Sequence, residues 1–128
     1  MPEPHLFEYA VIRVVPRVER EEFLNIGVIL YCPKQKFLQC QFTINEDRIR
    51  AFAPVLDIDE LKGNIEAFEK ICNGGKGGGP IGMLDIASRF RWLTATRSTV
   101  VQASKVHPGL CNCEAHQTLT KLHAQQVL

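Results

Sequence analysis

Residues 26–44, IGVILYCPKQKFLQCQFTI, decide the fold class of this chain. Residues 26–32 are continuously apolar and rich in β-branched side chains, a pattern typical of a buried strand. Residues 33–36 predict a turn that opens on Pro33. Beyond it, apolar and polar side chains alternate: Leu38, Cys40, Phe42 and Ile44 fall on one face, and Gln39, Gln41 and Thr43 on the other. The stretch therefore predicts two strands of one antiparallel sheet, the second with one wet face.

The flanking segments extend this sheet and add helices. Residues 7–15 predict a strand that is buried on much of both faces. Asn45 is placed to cap a short helix that Pro54 ends, and Asp57 is placed to cap a longer one that ends at Gly74. The expected buried face of the longer helix is Ile58, Leu61, Ile65, Phe68 and Cys72.

The remainder of the chain is divided by a glycine-rich run. Residues 74–80 cannot pack a side-chain core and predict a mobile surface loop. After it we expect a short helix over residues 85–92, a short strand over 99–103, a loop through Pro108 and Gly109, and a terminal helix. The prediction is an α+β domain spanning residues 1–128, with a small antiparallel sheet of about four strands and helices packed mainly on one face.

Composition and charge exclude several classes of protein. At 45% apolar and 23% charged residues, the 128-residue chain is close to an average globular domain. Its net charge of +1 provides no global attraction for nucleic acid or an anionic membrane. No apolar run is long enough to span a membrane, and the start lacks the pattern of a signal peptide. An odd number of scattered cysteines indicates reduced thiols, so we expect a cytoplasmic protein.

The motifs of common enzymes are missing from the sequence. The glycine-rich run resembles a phosphate-binding loop poorly, because Lys76 lies inside it and a helix rather than a strand precedes it. Neither a nucleophile elbow nor an HExxH zinc helix is present. The sequence therefore favours a protein without enzymatic activity and needing no cofactor. An enzyme whose catalytic residues meet from distant segments remains open.

The segment RFRWLTATRSTVVQ, residues 89–102, carries the strongest functional signal. It belongs to a locally basic stretch between Asp85 and Glu114 that contains no acidic residue. Arginines, hydroxyls and an aromatic side chain together are typical of sites that bind phosphate or carboxylate. The candidate residues are Arg89, Arg91, Trp92, Arg97, Ser98, Thr99 and His107. The competing interpretation is structural, with the aromatic residues packed under the sheet and the arginines paired with the acids of the helix that starts at Asp57.

Two further groups of residues are candidates for a role in binding. His107, Cys111, Cys113 and His116 are competent zinc ligands, but their spacing is unlike that of structural zinc sites, so no metal is expected. Asn25, followed by Gly27 at the start of a buried strand, predicts a β-bulge. The alternative is that Asn25 presents its amide at a sheet edge beside the arginine segment.

The chain resembles a known bacterial family. The blocks EFLNIGVIL at residues 22–30, GPIG at 79–82, RFRWLTATRST at 89–99 and VHPGL at 106–110 together are similar to the domain-of-unknown-function family numbered 3037. The resemblance covers nearly the whole chain. By the family pattern the matching residues are Asn25, Gly27, Arg89, Phe90, Trp92, Arg97, Ser98, Thr99, His107 and Gly109, whereas Cys111 and Cys113 are peculiar to this chain.

The resemblance also implies a partner. Members of the family are associated with kinase-like proteins of the HipA type, which implies a small accessory protein that binds such a partner. The second hypothesis is a phosphate, nucleotide or nucleic-acid binding site on the same residues, with hydrolytic activity left open. Nucleic acid is the weaker version, because strong nonspecific binders are usually much more basic.

Overall fold

The computed structural model describes residues 4–17, 20–95, 97 and 99–128. In this part of the chain the strands are β1 (His5–Val14), β2 (Leu24–Cys32), β3 (Phe37–Phe42), β4 (Val101–Ala103) and β5 (His107–Cys111). The helices are α1 (Glu46–Phe52), α2 (Ile58–Asn73), α3 (Gly79–Gly82), α4 (Ile86–Leu93) and α5 (Ala115–Gln126), with a 3-10 turn at Lys76–Gly78. The architecture confirms the α+β fold class.

All the strands belong to one antiparallel sheet. Its order is β3-β2-β1-β4, and β5 also pairs with β1, so β4 and β5 share one side of the same long strand. The sheet has five strands where the sequence predicts about four. The additional strand is β5, in the region around Pro108 and Gly109 that the sequence assigns to a loop.

One face of the sheet carries the larger hydrophobic core. The even-numbered residues of β1, among them Ala10 and Ile12, pack there against α1, α2 and α4. The buried residues of α2 are the predicted ones: Ile58, Leu61, Ile65, Phe68 and Cys72. Because side chains alternate across a strand, Leu38 of β3 joins this core while Gln39 points away from it.

The opposite face is covered by α5. Phe7 of β1 and Val28 and Leu30 of β2 pack there against Ala115 and Leu119 of that helix. Most helices thus lie on one face, as predicted, and the terminal helix closes the other. The sheet is therefore buried on both sides along β1 and β2, as their continuous apolar runs indicate.

A β-bulge lies where the Asn25-Ile26-Gly27 sequence predicts one. Ile12 is paired with Gly27 and the next residue of β1 with Asn25, which leaves Ile26 as the extra residue. The bulge reverses the alternation of β2, so that both Ile26 and Ile29 face the larger core. A Cβ atom on Gly27 would collide with the ring of Phe42, which is why the close strand contact needs glycine here.

The glycine-rich run is folded rather than irregular, which corrects the prediction for residues 74–80. Gly74 ends α2 with φ +81°, and the amide of Gly75 donates to the carbonyl of Gly82 at 2.8 Å. Gly78 packs against the backbone of Ile71, where a Cβ atom would be tightly crowded. Glycines provide positive φ angles and close backbone contacts, and here both build a compact turn against α2.

No helix in the described part of the chain is long and apolar enough to cross a membrane.

Candidate functional site

Helix α4 positions most of the arginine segment. Its N-cap is Asp85, whose side chain accepts a hydrogen bond from the Ser88 amide at 2.7 Å, and this bond lowers the pKa of the Asp85 carboxyl. Phe90 and Leu93 are buried in the larger core. Because successive residues point about 100° apart around a helix, the side chains between these anchors take different directions.

Arg89 is a structural residue. Its side chain is only 9% exposed, and Nη1 donates to the carbonyl oxygens of Cys72 at 2.9 Å and Ile71 at 3.3 Å. These carbonyls belong to the last turn of α2, where a cation is favoured, and the Ile71 carbonyl also accepts from the Gly74 amide. Arg89 therefore stabilises the junction of α2 and α4 and is withdrawn from ligand binding.

Arg91 points away from the core and forms an ion pair. Its Nη2 lies 2.7 Å from Oε2 of Glu8 on β1. This pairing is of the kind that the structural interpretation of the segment expects, but the acid comes from the sheet and not from α2. The pair is accessible to water and contributes little to stability.

Trp92 and Arg97 form the exposed part of the segment. Trp92 is 40% exposed, and the guanidinium of Arg97 lies 4.1 Å from the centre of the indole ring. Arg97 also donates to the backbone carbonyl of Trp92, so a hydrogen bond and a ring contact together hold the guanidinium over the indole. A cation held over an indole at this distance is a favourable cation–π contact.

This pair forms one wall of a groove between α2, α4 and β4. The groove has a volume of about 250 Å³. Its described lining is Asn64, Ala67, Phe68 and Ile71 of α2, Trp92 and Leu93 of α4, and Arg97, Thr99 and Val101. The groove is mostly apolar, with a few polar groups at the rim, as is usual for binding sites.

Thr99 reaches this groove, but its hydroxyl is engaged. Oγ1 donates to the carbonyl oxygen of Val101 at 2.7 Å, and the Thr99 carbonyl accepts from the side chain of Gln102 at 2.8 Å. Thr99 thus shapes the turn into β4. Ser98, also predicted for the site, lies outside the described residues.

His107 lies on the other face of the sheet. It is the register partner of Tyr9, and directly opposed residues point to the same side. Tyr9 packs against the core that α5 covers, and the His107 ring lies 5.3 Å from the Tyr9 ring. The predicted set of Arg89, Arg97 and His107 therefore does not converge.

Asn25 is also separated from the arginine segment. Its strand, β2, lies inside the sheet between β1 and β3, so the residue is not at a sheet edge. The side-chain Nδ2 donates to the carbonyl oxygen of Gln126 at the end of α5, at 3.0 Å. The bulge therefore serves to hold the terminal helix.

The four weak candidates for metal binding have separate surroundings. Cys111 is buried in the smaller core, whereas the thiol of Cys113 lies 3.3 Å from the Thr118 hydroxyl. His116 is exposed on α5. Across the described residues, no group of three or more His, Cys, Asp or Glu side chains is placed to hold a metal ion.

The structure thus joins Trp92, Arg97 and Thr99 in one groove and separates the other candidates. Sequence reasoning missed the contribution of α2, namely Asn64, Ala67 and Ile71. Ile71 offered a signal, because it is an apolar residue that lies beside the predicted buried face of α2 rather than within it.

Fold and site together define a small α+β domain whose candidate site is an apolar groove with an aromatic–arginine rim. Residues 9–127 match the model of the family described as "Protein of unknown function (DUF3037)". The match covers nearly the whole chain, so the chain belongs to this family. No curated protein and no solved structure matched the chain.

Proposed function

We propose that the protein is a non-enzymatic accessory module of the bacterial cytoplasm that binds a protein partner through the groove between α2, α4 and β4. The observation that carries the proposal is the half-exposed Trp92 with Arg97 stacked on it beside an apolar floor. Tryptophan and arginine are enriched among the residues that dominate binding energy in protein interfaces. The indole supplies apolar area, and the guanidinium supplies a fixed donor group.

The contacts that the arginines make favour a protein partner over a phosphate or a nucleic acid. An anion site needs several donors aimed at one point. Arg89 is used at the end of α2 and Arg91 pairs with Glu8, so among the described residues of the groove Arg97 is the one cation. A single arginine beside an apolar floor fits a protein surface with one acidic or carbonyl group.

The partner that we propose is the kinase-like protein of the HipA type that the family resemblance implies. The cytoplasmic location is supported by the cysteines, all of which lie in the described part of the chain and are unpaired thiols. Unpaired thiols persist in a reducing compartment.

Affinity purification from the source cell tests the proposal. The tagged native chain should retain one stoichiometric protein partner at mild salt. Trp92→Ala and Arg97→Ala should each weaken retention by about tenfold or more, as for hot-spot residues. Phe23→Ala is the matched control, because Phe23 is another exposed aromatic with an arginine, Arg13, 3.9 Å from its ring centre.

Three outcomes contradict the proposal: the native chain elutes alone, the groove variants retain the partner fully, or the Phe23 variant loses it equally. A nucleic-acid function would give a different pattern. Binding to single-stranded nucleic acid would then fall steeply with salt and drop in Arg97→Ala.

A further inference from the structure

The outer edge of β3 is an open sheet edge. β3 ends the strand order, with β2 as its neighbour. The amide of Thr43 donates to the carbonyl of Ile26. Since hydrogen-bonded residues alternate along an antiparallel strand, the odd-numbered residues of β3 are the ones that bond to β2. The backbone groups of Leu38, Cys40 and Phe42 therefore point outward, and within the described residues they meet no backbone partner.

The opposite edge of the sheet is blocked at two positions, whereas the edge of β3 has no such feature. On β4, the outward carbonyl of Val101 accepts a hydrogen bond from the Thr99 hydroxyl. On β5, the outward positions hold Leu110 and Pro108, and Pro108 has no N–H group to offer. Charges and prolines are the usual means of blocking an edge, and the β3 sequence FLQCQF contains neither.

The β3 edge is also complementary to itself. In an antiparallel pairing of two copies centred on Cys40, the outward groups of Cys40 meet those of the second Cys40, and Leu38 meets Phe42 of the second copy. These are the residues whose N–H and C=O groups point outward, so each pair can exchange two hydrogen bonds. Displacing this register by one residue would oppose outward groups to groups already bonded within the sheet.

The side chains match in the same register. On the face that α5 covers, Gln39 lies directly opposite Gln41 of the second copy, so two amides can bond to each other. On the other face Leu38 lies opposite Phe42, and both contact the larger core. Polar residues meet polar ones and apolar residues meet apolar ones, without an unpaired charge.

We propose that two copies of the chain associate through β3, antiparallel and about a two-fold axis at Cys40, into one continuous sheet. A second copy is the occupant because the uncharged edge is complementary to its own sequence, and the register about Cys40 pairs residues 38–42 with both faces matched. A two-fold axis also closes the assembly at two copies. The groove beside Trp92 lies at β4, at the edge of the sheet opposite β3, so it stays accessible in the dimer.

The pairing relies on the backbone and not on a disulfide. The thiol of Cys40 lies against Cys72 of the same chain, and this hydrogen bond, together with burial, raises the pKa of Cys40. A thiol held in its protonated form is a poor nucleophile for disulfide formation. The dimer is therefore expected to persist under reducing conditions.

Sedimentation equilibrium of the full chain in reductant tests the proposal, with variants at Gln39 and Gln41. The native chain should approach twice the monomer mass as its concentration rises. In Q39K/Q41K, lysine faces lysine in both cross-strand pairs, and dimerisation should weaken by about tenfold or more. In Q39K/Q41E each lysine faces a glutamate of the second copy, and the dimer should be retained.

The two variants carry the same number of new charged side chains and differ in the sign of one, so they form a matched pair. Circular dichroism and the melting temperature verify that both fold. A native chain that stays monomeric at every concentration overturns the proposal, as does a dimer that Q39K/Q41K leaves intact. If Q39K/Q41E dissociates as fully as Q39K/Q41K, the antiparallel register about Cys40 is wrong.

Discussion

The two faces of the sheet hold their helices in different ways. On the larger core, α2 and α4 are positioned by continuous apolar packing, with Phe90 fully buried between them and the sheet. On the other face, α5 buries few large side chains and is held by polar contacts at both ends. Apolar packing fixes a helix by area and hydrogen bonds fix it by position, so the two faces should respond to different substitutions.

The polar contacts of α5 lie at the two ends of the helix. The side chain of Gln35 accepts a hydrogen bond from the Ala115 amide at 2.8 Å and so caps the first turn. In the last turn, Oγ1 of Thr43 and Nε2 of His123 are 2.7 Å apart. At the far end, Arg48 donates to the Val127 carbonyl at 3.2 Å, alongside the Asn25 contact. β2, β3 and the segments that follow them thus provide the docking site of α5.

Replacing Arg89 should have the largest effect. Arg89→Met keeps much of the apolar stem but removes the guanidinium donor from the carbonyl of Cys72, and it leaves the carbonyl of Ile71 with only the Gly74 amide. Losing hydrogen bonds to a buried charged group should lower the free energy of unfolding by about 1.5–3 kcal/mol. Chemical denaturation measures this change.

Arg91→Met is the control for Arg89, two residues along the same helix. Its ion pair with Glu8 is exposed, so the loss should be under about 1 kcal/mol. Equal losses in the two variants would show that burial does not distinguish these arginines.

Removing the cap of α5 should have an intermediate effect. Gln35→Ala leaves the Ala115 amide without its acceptor and should destabilise the protein by about 1 kcal/mol. Hydrogen exchange should accelerate in the first turn of α5 and stay unchanged in α2. Gln125→Ala, an exposed glutamine near the far end of the same helix, is the control. Unchanged exchange in α5 would mean that packing alone holds the helix.

The smallest effect is expected at His123 and only in mild acid. The side chain is buried, and desolvation lowers its pKa from the usual 6.5, opposed by an interaction with the Gln41 backbone. The unfolded chain therefore takes up a proton before the folded one does, and stability should fall as the pH drops below about 6.5. Above that pH both states are neutral at this residue, so it adds no pH dependence.

Denaturation between about pH 7.5 and about pH 5.5 measures the His123 effect. His123→Gln should flatten the pH dependence, whereas His116→Gln, exposed on the same helix, should leave it unchanged. An undiminished acid loss in His123→Gln would assign the effect to other groups.

Local signals in the sequence predicted much of the fold. Asn45 and Asp57 cap their helices by accepting hydrogen bonds from Arg48 and Glu60, as their positions indicate. The buried face of α2 and the bulge at Asn25 were also predicted, because each depends on a short pattern with one favoured geometry.

β5 was not predictable in this way. His-Pro-Gly in its sequence is typical of a turn. The nitrogen of Pro108, which carries no hydrogen, faces away from β1, so no hydrogen bond of the sheet is lost. The Phe7 ring packs over Gly109, so neither residue disrupts the strand. Both compensations come from β1, about a hundred residues earlier in the chain, and are invisible to a local pattern.

The candidate site depended on distant contacts still more strongly. Arg89, Arg91 and Arg97 belong to one segment and are chemically alike, yet one ends α2, one pairs with β1 and one stacks on Trp92. Their roles are set by which groups other elements bring near them. The groove itself combines α2, α4 and β4, so its shape is set by how they pack.

The sequence by itself determined the α+β class, the helix caps, the core face of α2 and the aromatic–arginine character of the candidate site. The tertiary structure decided that the sheet has a fifth strand, that His107 and Arg97 lie on opposite faces, and that Trp92 borders a groove while Arg89 is buried. The physical reason is the distance along the chain over which each kind of interaction acts. Backbone geometry and side-chain periodicity act over a few residues, whereas burial, ion pairing and strand partnership depend on residues that only folding brings together.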